Sequence, residues 1–168
     1  MIPECIEHLK QYPNDAIGAL RKLPKRTVWL YVHAYQSFLW NRMASEYLKR
    51  QNHKTIRYPL GELVIPEGKV KSINIPLIGY ETKIPDSISS IAKKMLDYEG
   101  IKKEDFRIPE MPEMVSQGAD RELMMPLDDV EIGPLENDEL NRSKKKCRVS
   151  FRLPKGSYAT MAVKAMFE

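Results

Sequence analysis

The chain has 168 residues, of which 42% are hydrophobic and 30% are charged, and its formal net charge is +4. These values are typical of a soluble globular protein with room for one ordinary domain or two small lobes. No apolar run is long enough to span a bilayer, and the opening residues lack the pattern of a signal peptide. Such a composition argues against a membrane protein.

The cysteines and histidines are few and scattered. Cys5 and Cys147 lie far apart, which favours a reducing compartment, and we expect a cytoplasmic protein. The histidines are His8, His33 and His53. They have no metal-ligand spacing with the cysteines or with each other, so no metal site is predicted.

Charge is distributed unevenly along the chain. Residues 1–58 carry ten Lys/Arg and four Asp/Glu, residues 59–143 carry ten and eighteen, and residues 144–168 carry seven and one. Two basic ends that meet in space would form a polyanion-facing surface, with the acidic middle in a separate lobe. The alternative is that these charges are merely solvated faces.

The first 50 residues read as three helices. Residues 3–12 have an amphipathic pattern, Asn14 is placed to cap a helix over 15–23, and the pattern of 25–50 predicts one long helix entered through Pro24. A basic cluster marks the junction of the second and third helices, either to grip phosphate or as simple exposed charge. The cluster consists of Arg21, Lys22, Lys25 and Arg26.

The long helix is apolar on nearly every side, which predicts a buried central helix. Its polar residues share one narrow arc because of their spacing. The arc consists of His33, Gln36, Ser37 and Asn41. It is either a satisfied polar seam between packed elements or a brace for a functional loop.

The middle of the chain reads as short strands followed by a helix. The β-type runs are 62–65, 69–72 and 73–78, and the turn at 66–68 predicts either a hairpin between its flanking runs or a strand-loop unit. Pro76 places the third run at a sheet edge or strand end. Asp86 is predicted to cap a helix over 87–98 that stops at Gly100, followed by an irregular connection over 101–115.

The last fifty residues read as strand, loop, strand and helix. A turn at Gly118 precedes a predicted strand over 122–125, and the polar segment 133–146 is predicted to be a flexible loop. Asp128 and Asp129 are either a paired-carboxylate site or a strand-end turn.

The segment 147–153 alternates strictly, which predicts a half-exposed strand with a basic open face formed by Arg148, Ser150 and Arg152. Ser157 is predicted to cap a final helix over 158–167.

Four motifs resemble the TruD family of tRNA pseudouridine synthases, in the same order and over essentially the whole chain. They are VHAYQSFLWNRMASE in the long helix, PLIGYE at 76–81, the G-x-x-R turn at 118–121, and FRLPKGSYATMAVKAM at 151–166. The last is similar to a family signature of an apolar strand, L-P-x-G-[S/T]-[F/Y]-A-T and a helix. Asp120 and Met125 depart from the residues common in relatives.

The resemblance implies an enzyme that flips a uridine out of tRNA and isomerises it with one aspartate, using no metal and no organic cofactor. The family's aspartate motif, resembling K-D-[K/R]-x-A-x-x-x-Q, is absent from this sequence, as is its N-x-[F/Y]-G-x-Q-R-F motif. No residue here is therefore assigned as catalytic. The chain resembles the C-terminal half of the enzyme, including part of the insertion domain.

The resemblance also implies site residues. Tyr158 is expected to line the active site and stack on the flipped base, with Gly156 and Ser157 forming the turn that places its ring; the alternative for Tyr158 is a core aromatic. The residues expected to hold RNA phosphate are Lys155, Arg152, Arg148, Lys144, Lys145, Lys146 and, more weakly, Arg121. By contrast, His33, Gln36 and Asn41 match the helix motif and are interpreted as structural.

These expectations give an α+β fold in three segments. Residues 1–54 form a helical segment around the long buried helix, 55–143 an insertion-like lobe with short mixed or antiparallel strands, and 144–168 the last strand, turn and helix of the catalytic fold. One hypothesis is a part of a TruD-like synthase that acts with its N-terminal half. A second is a stand-alone, non-catalytic RNA-binding module, and a third is a scaffold with no RNA role.

Overall fold

A computed structural model describes residues 2–167. Within those residues the chain forms five α-helices and four two-stranded antiparallel sheets, which confirms the predicted α+β class. The chain divides into two compact units, one ending at Leu123 and the other beginning at Met124. This boundary differs from the three predicted segments, which remain a prediction.

The helices follow the predicted order. They are α1 Ile2–Gln11, α2 Ala16–Arg21, α3 Lys25–Leu48, α4 Asp86–Glu99 and α5 Ala159–Phe167. The predicted cap of α2 is wrong, because the Asp15 carboxylate, not Asn14, accepts the Gly18 N–H at 2.8 Å. Asp86 is the first residue of α4 rather than its cap, and Gly100 ends that helix in the left-handed conformation, as predicted.

The strands pair in four antiparallel ladders: β1 with β2, β3 with β4, β5 with β8 and β6 with β7. Their bounds are β1 His53–Tyr58, β2 Gly61–Pro66, β3 Asn74–Leu77, β4 Ala119–Glu122, β5 Asp128–Ile132, β6 Glu136–Asn137, β7 Lys145–Lys146 and β8 Val149–Arg152.

The hairpin predicted around residues 66–68 is wrong. β2 instead pairs with β1, in a register that sets Tyr58 opposite Gly61 and leaves a two-residue loop. Gly61 has a φ of +130°, a conformation that favours glycine, so the turn forms before β2 rather than after it. Residues 69–72 form no strand.

The strand predicted over 122–125 lies three residues earlier, as β4. Gly118, at a φ of +91°, turns the chain so that the following residues pair at once with β3. The pairing sets Pro76 opposite Asp120, and Pro76 is fully buried. A two-stranded ladder has two edges, so a proline is tolerated there.

The long helix α3 is the centre of the first unit, as predicted. Leu39 and Met43 are 0% and 1% exposed and belong to one core cluster with Ile75 and Ile78 of the β3 segment and Ile88 of α4. Burying each such side chain contributes about 1.5–3 kcal/mol relative to leaving it exposed.

Burial of α3 is not complete. Leu30 and Tyr31, in its N-terminal half, remain 64% and 54% exposed. The core therefore gathers on the C-terminal half of the helix.

The polar arc of α3 divides into one buried residue and three that are not. Gln36 is 3% exposed and its Nε2 donates to the Ile78 carbonyl and to Ser116 Oγ, both at 2.7 Å. His33 is exposed and its ring lies 5.0 Å from that of Trp29. The polar-seam interpretation therefore holds for Gln36 alone.

Two glycines let backbone meet backbone beside Gln36. A Cβ on Gly79 would lie 2.2 Å from the Gly118 nitrogen, and a Cβ on Gly118 would lie 2.3 Å from Thr82 Oγ1. Thr82 Oγ1 accepts the Gly79 N–H at 2.7 Å and lies 3.4 Å from the Gln117 carbonyl oxygen. The PLIGYE motif and the turn at Gly118 are therefore packed directly against each other.

A charged and aromatic cluster fastens α4 to α3. Arg42 Nη1 lies 2.5 Å from Glu99 Oε1, and the guanidinium carbon lies 4.7 Å from the centre of the Tyr98 ring. The Tyr35 hydroxyl donates to Glu99 Oε2 at 3.1 Å. Burial, together with the Glu99 carboxylate, raises the pKa of Tyr35 above its ordinary value.

We expect Gln36→Ala to lower the free energy of unfolding by about 2–4 kcal/mol, because it leaves two buried acceptors unsatisfied and opens a cavity. The matched control is Asn41→Ala on the same helix, which is half-buried and has no side-chain hydrogen bond within residues 2–167. That change should cost less than about 1 kcal/mol. Equal losses in urea unfolding of the two variants would contradict the role given to Gln36.

Candidate nucleic-acid interface

The predicted basic strand is present as β8, in the second unit. Val149 and Phe151 are half-buried, whereas Ser150 and Arg152 are exposed, as the alternation predicted. Arg148, which precedes the strand, is also exposed, and its side chain has no partner among residues 2–167. One face of β8 is therefore polar and carries the predicted cations.

This face is not purely basic, because β5 lies beside it. Asp129 Oδ2 lies 2.7 Å from Arg152 Nη2, and Ser150 Oγ donates to Glu131 Oε2 at 3.3 Å. The register shifts between Asp128 and Glu131, and Asp129 has a φ of +50°. Arg152 therefore has a carboxylate counterion within its own sheet.

The strand-end turn expected for Asp128 and Asp129 is wrong, whereas the paired-carboxylate site stays a prediction. The two residues begin β5 rather than ending a strand in a turn, and Asp128 pairs with Arg152 in the ladder. The bulge turns the Asp129 carboxylate towards Arg152. Its position is that of an ion-pair partner.

The segment predicted to be a flexible loop contains a small hairpin, β6–β7. Lys145 Nζ donates to Asn137 Oδ1 at 2.6 Å, and Lys146 forms an ion pair with Glu139. The hydrogen bond from Lys146 holds the pKa of the Glu139 carboxyl below its ordinary value. Of the three predicted lysines, only Lys144 has a side chain with no partner among the described residues.

The turn before α5 has the predicted shape but not the predicted cap. Gly156 has a φ of +89° with open space around its missing Cβ, and the Ser157 N–H donates to the Pro154 carbonyl at 3.2 Å. The Ser157 hydroxyl is buried and has no hydrogen-bond partner among the described residues, so its predicted capping role is wrong.

Tyr158 stands at the entrance to α5. Its side chain is 62% exposed, and its carbonyl accepts the N–H of Met161 at 3.0 Å. The neighbouring Lys155 is exposed and its ammonium has no partner within residues 2–167. The turn therefore presents an aromatic ring and a cation from nearby positions, and their predicted roles remain predictions.

Arg121 belongs to the first unit, whereas the other predicted cations belong to the second. It lies in β4, and its guanidinium carbon is 5.3 Å from the centre of the Trp40 ring. Trp40 in turn donates its Nε1–H to the Ile75 carbonyl at 2.7 Å. The residue is half-buried, and stacking on Trp40 fixes its position.

Within residues 2–167, no group of three or more His, Cys, Asp or Glu side chains converges on a point that could hold a metal ion. Nor does any helix in that range combine the length and apolarity needed to cross a bilayer.

The second unit buries nothing fully. No residue from Met124 to Phe167 is classed as buried, and many of its large apolar side chains are exposed. These are Met125, Val130, Ile132, Leu135, Leu140, Tyr158, Met161, Val163 and Phe167.

Sequence reasoning missed the acidic partner strand of β8. The strand itself had a weak signal in Asp128–Ile132, where acidic and apolar residues mix over a run of strand length. A partner some twenty residues away along the chain has no local signature, so the pairing of Asp129 with Arg152 was not foreseen.

Comparison with solved structures shows which class of protein shares this architecture. A crystal structure of the putative tRNA pseudouridine synthase D (TruD) from Methanosarcina mazei is similar, with a TM-score of 0.70 and 29% identity, over 96% of this chain and 43% of that one. The α+β chain thus has the architecture of part of a tRNA pseudouridine synthase D.

The sequence comparisons give the family. The model of the TruD family, tRNA pseudouridine synthase D, matches residues 4–71 and 64–166. The chain is 30% identical over 164 residues to the probable tRNA pseudouridine synthase D of Methanopyrus kandleri and 32% identical over 167 residues to one from Methanococcus maripaludis. The chain belongs to the TruD family, as the motifs predicted.

The match covers nearly all of this chain but less than half of each relative. The Methanopyrus relative is covered over 38% of its length and the Methanococcus relative over 42%, although 96% and 93% of this chain take part. The chain therefore spans about two fifths of the relatives that it matches.

We expect Asp129→Asn to strengthen tRNA binding, because it frees Arg152 for phosphate. The slope of log K against log salt should steepen by about 0.7–0.9 for each additional phosphate that the chain neutralises. Asparagine has the shape of aspartate and tolerates a positive φ. The measurement is fluorescence anisotropy with a tRNA transcript over a series of salt concentrations.

The control is Glu136→Gln, which removes the same charge from an exposed position on β6. An equal effect of the two variants would show that only net charge matters, and not release of Arg152.

Proposed function

We propose that this chain is part of a TruD-like tRNA pseudouridine synthase, which isomerises uridine to pseudouridine in tRNA in the cytoplasm. The catalytic aspartate is supplied by a further segment, corresponding to the N-terminal half of the relatives. The observation that carries the proposal is the second unit, whose apolar side chains are exposed and which buries no residue fully. Such a unit suits docking on another segment.

The first unit differs in this respect, since it has its own core around Leu39 and Met43. In the proposal it anchors the chain, and the second unit adds the last strand and helix to the catalytic fold. In this proposal, residues 1–54 are the helical anchor, residues 55–143 are the insertion-like lobe, and residues 144–168 belong to the catalytic domain.

In the assembled enzyme, this chain binds and positions RNA. Tyr158 stacks on the flipped base, and the turn at Gly156 lets the nucleotide approach the backbone. Lys155 and Arg148 hold phosphates, and Arg152 does so in competition with its Asp129 counterion, so that the target uridine is presented to the aspartate of the other segment. Exposure of the Tyr158 ring supports this arrangement.

The alternative function is a stand-alone RNA-binding module without catalysis. The well-packed first unit is compatible with it, because that unit has a core of its own. The exposed apolar surface of the second unit disfavours it, since a free-standing module leaves that surface in water.

The test is pseudouridine formation on an unmodified tRNA transcript. The chain is assayed alone, with the segment of the Methanopyrus kandleri relative that it does not match, and as a chimera fused to that segment. We expect activity only in the mixture or chimera. There, Tyr158→Ala should lower the rate by about 5- to 150-fold, the value of one base–aromatic stack, whereas Tyr158→Phe should retain most of it.

Activity of the chain alone would contradict the proposal and direct attention to Asp128 and Asp129. No activity in any arm, with salt-dependent tRNA binding intact, would instead support the binding module. Equal losses in Tyr158→Ala and Tyr158→Phe would refute stacking and point to the hydroxyl.

A further inference from the structure

A second group of cations lies at the other end of the chain, on the first unit. We call it the α2–α3 patch and define it as Lys22, Lys25 and Arg26. Lys22 follows the last residue of α2, and Lys25 and Arg26 begin α3. All three are exposed, and their side chains have no hydrogen-bond or ion-pair partner among residues 2–167.

The neighbouring Arg21 has a different role. Its Nη2 donates to the Glu110 carbonyl at 2.7 Å, and its Nε lies 3.4 Å from Glu113 Oε1. The Asp15 carboxylate is also within its electrostatic reach. Arg21 thus fastens α2 to the segment around Glu110, and nearby acids compensate its charge.

The patch keeps most of its charge. The hydrogen bond to its own backbone, followed by the positive charges of Arg21 and then Lys25, lowers the pKa of the nearby Glu113 carboxyl. Because the Glu113 carboxylate already forms an ion pair with Arg21, the three cations of the patch remain in excess. A polyanion approaching this junction would therefore meet uncompensated positive charge.

The position of the patch is electrostatically unfavourable for the folded chain itself. The N-terminus of a helix carries partial positive charge, and acidic residues are favoured there. The first turn of α3 has no acidic residue and begins with two cations, and Pro24 provides no side-chain cap. Where local rules are broken without compensation, a functional reason is expected.

Aromatic rings follow the patch along α3. Trp29 comes four residues after Lys25 and three after Arg26, so it lies on the same side of the helix. It is half-buried and its ring is 5.0 Å from the ring of the exposed His33. Cations beside aromatic rings suit RNA, which offers phosphates and bases together.

We propose that the α2–α3 patch binds the phosphate backbone of tRNA, in addition to the cations of the second unit that are predicted to do so. The proposal rests on the proposed function for the choice of RNA as partner. Leu30 and Tyr31, exposed on the next turn, would also suit an anionic membrane, so the experiment includes that partner.

The experiment measures binding of the 168-residue chain to a tRNA transcript at a series of salt concentrations. Replacing Lys22, Lys25 and Arg26 together by Gln should weaken binding and reduce the slope of log K against log salt by about two to three, at 0.7–0.9 for each phosphate no longer neutralised. Arg21 is left unchanged because it holds the fold. The melting temperature should stay constant or rise, since cations leave the positive end of a helix.

The control replaces Lys71, Lys93 and Lys94 by Gln. These lysines are exposed and lie in the acidic segment 59–143, where a polyanion is repelled. For this control variant, the slope of log K against log salt should change by less than one. Equal slopes for the two triple variants, or no binding of tRNA by the unchanged chain, would overturn the proposal.

Two further outcomes separate the alternatives. Binding to phosphatidylserine vesicles that depends on the patch, with tRNA affinity unaffected by the triple substitution, would assign the surface to a membrane and overturn the proposal. Pseudouridine formation is read independently in the mixture with the relative's segment. Failure of that reaction with the slope change intact would refute the proposed enzyme while supporting the RNA surface.

Discussion

The amide of Gln36 is the interaction on which the first unit depends. From the middle of α3 it donates to the Ile78 carbonyl and to Ser116 Oγ, two acceptors on segments far apart in sequence. The contact of Gly79 with the turn at Gly118 lies beside it. Three of the four motifs that resemble the TruD family meet at this point. Their residues are explained first by packing and hydrogen bonding, and not by catalysis.

The second unit is held together in another way. Its ion pairs, such as Arg152–Asp129 within the β5–β8 sheet and Lys146–Glu139 within the β6–β7 hairpin, are exposed, and exposed ion pairs contribute little to stability. No residue there is classed as buried, although apolar side chains are plentiful. The turn with Tyr158, where the family signature is most specific, therefore lies in the unit that lacks a core of its own. In the proposed enzyme, order at that turn depends on the segment that covers the unit.

The sequence predicted elements with a strong period and missed those that depend on distant partners. Helix α3, helix α4 with its stop at Gly100, and the alternating strand β8 followed from local pattern. By contrast, β1 and β5 contain charged residues and are defined only by their partner strands. The pairing of Arg152 with Asp129 had no local signal. The predicted cap Asn14 failed for a local reason, because the neighbouring Asp15 competes for the same backbone groups.

The central claim is that the second unit receives its core from another segment. Hydrogen–deuterium exchange, followed by mass spectrometry, tests this on peptides from Met124 to Phe167 and on α3 as an internal reference. In the chain alone, we predict rapid exchange in the second unit and strong protection around Leu39 and Met43. Addition of the remaining segment of the Methanopyrus kandleri relative should then protect the second unit, including α5. Strong protection of the second unit in the isolated chain, unchanged by the added segment, would contradict the account.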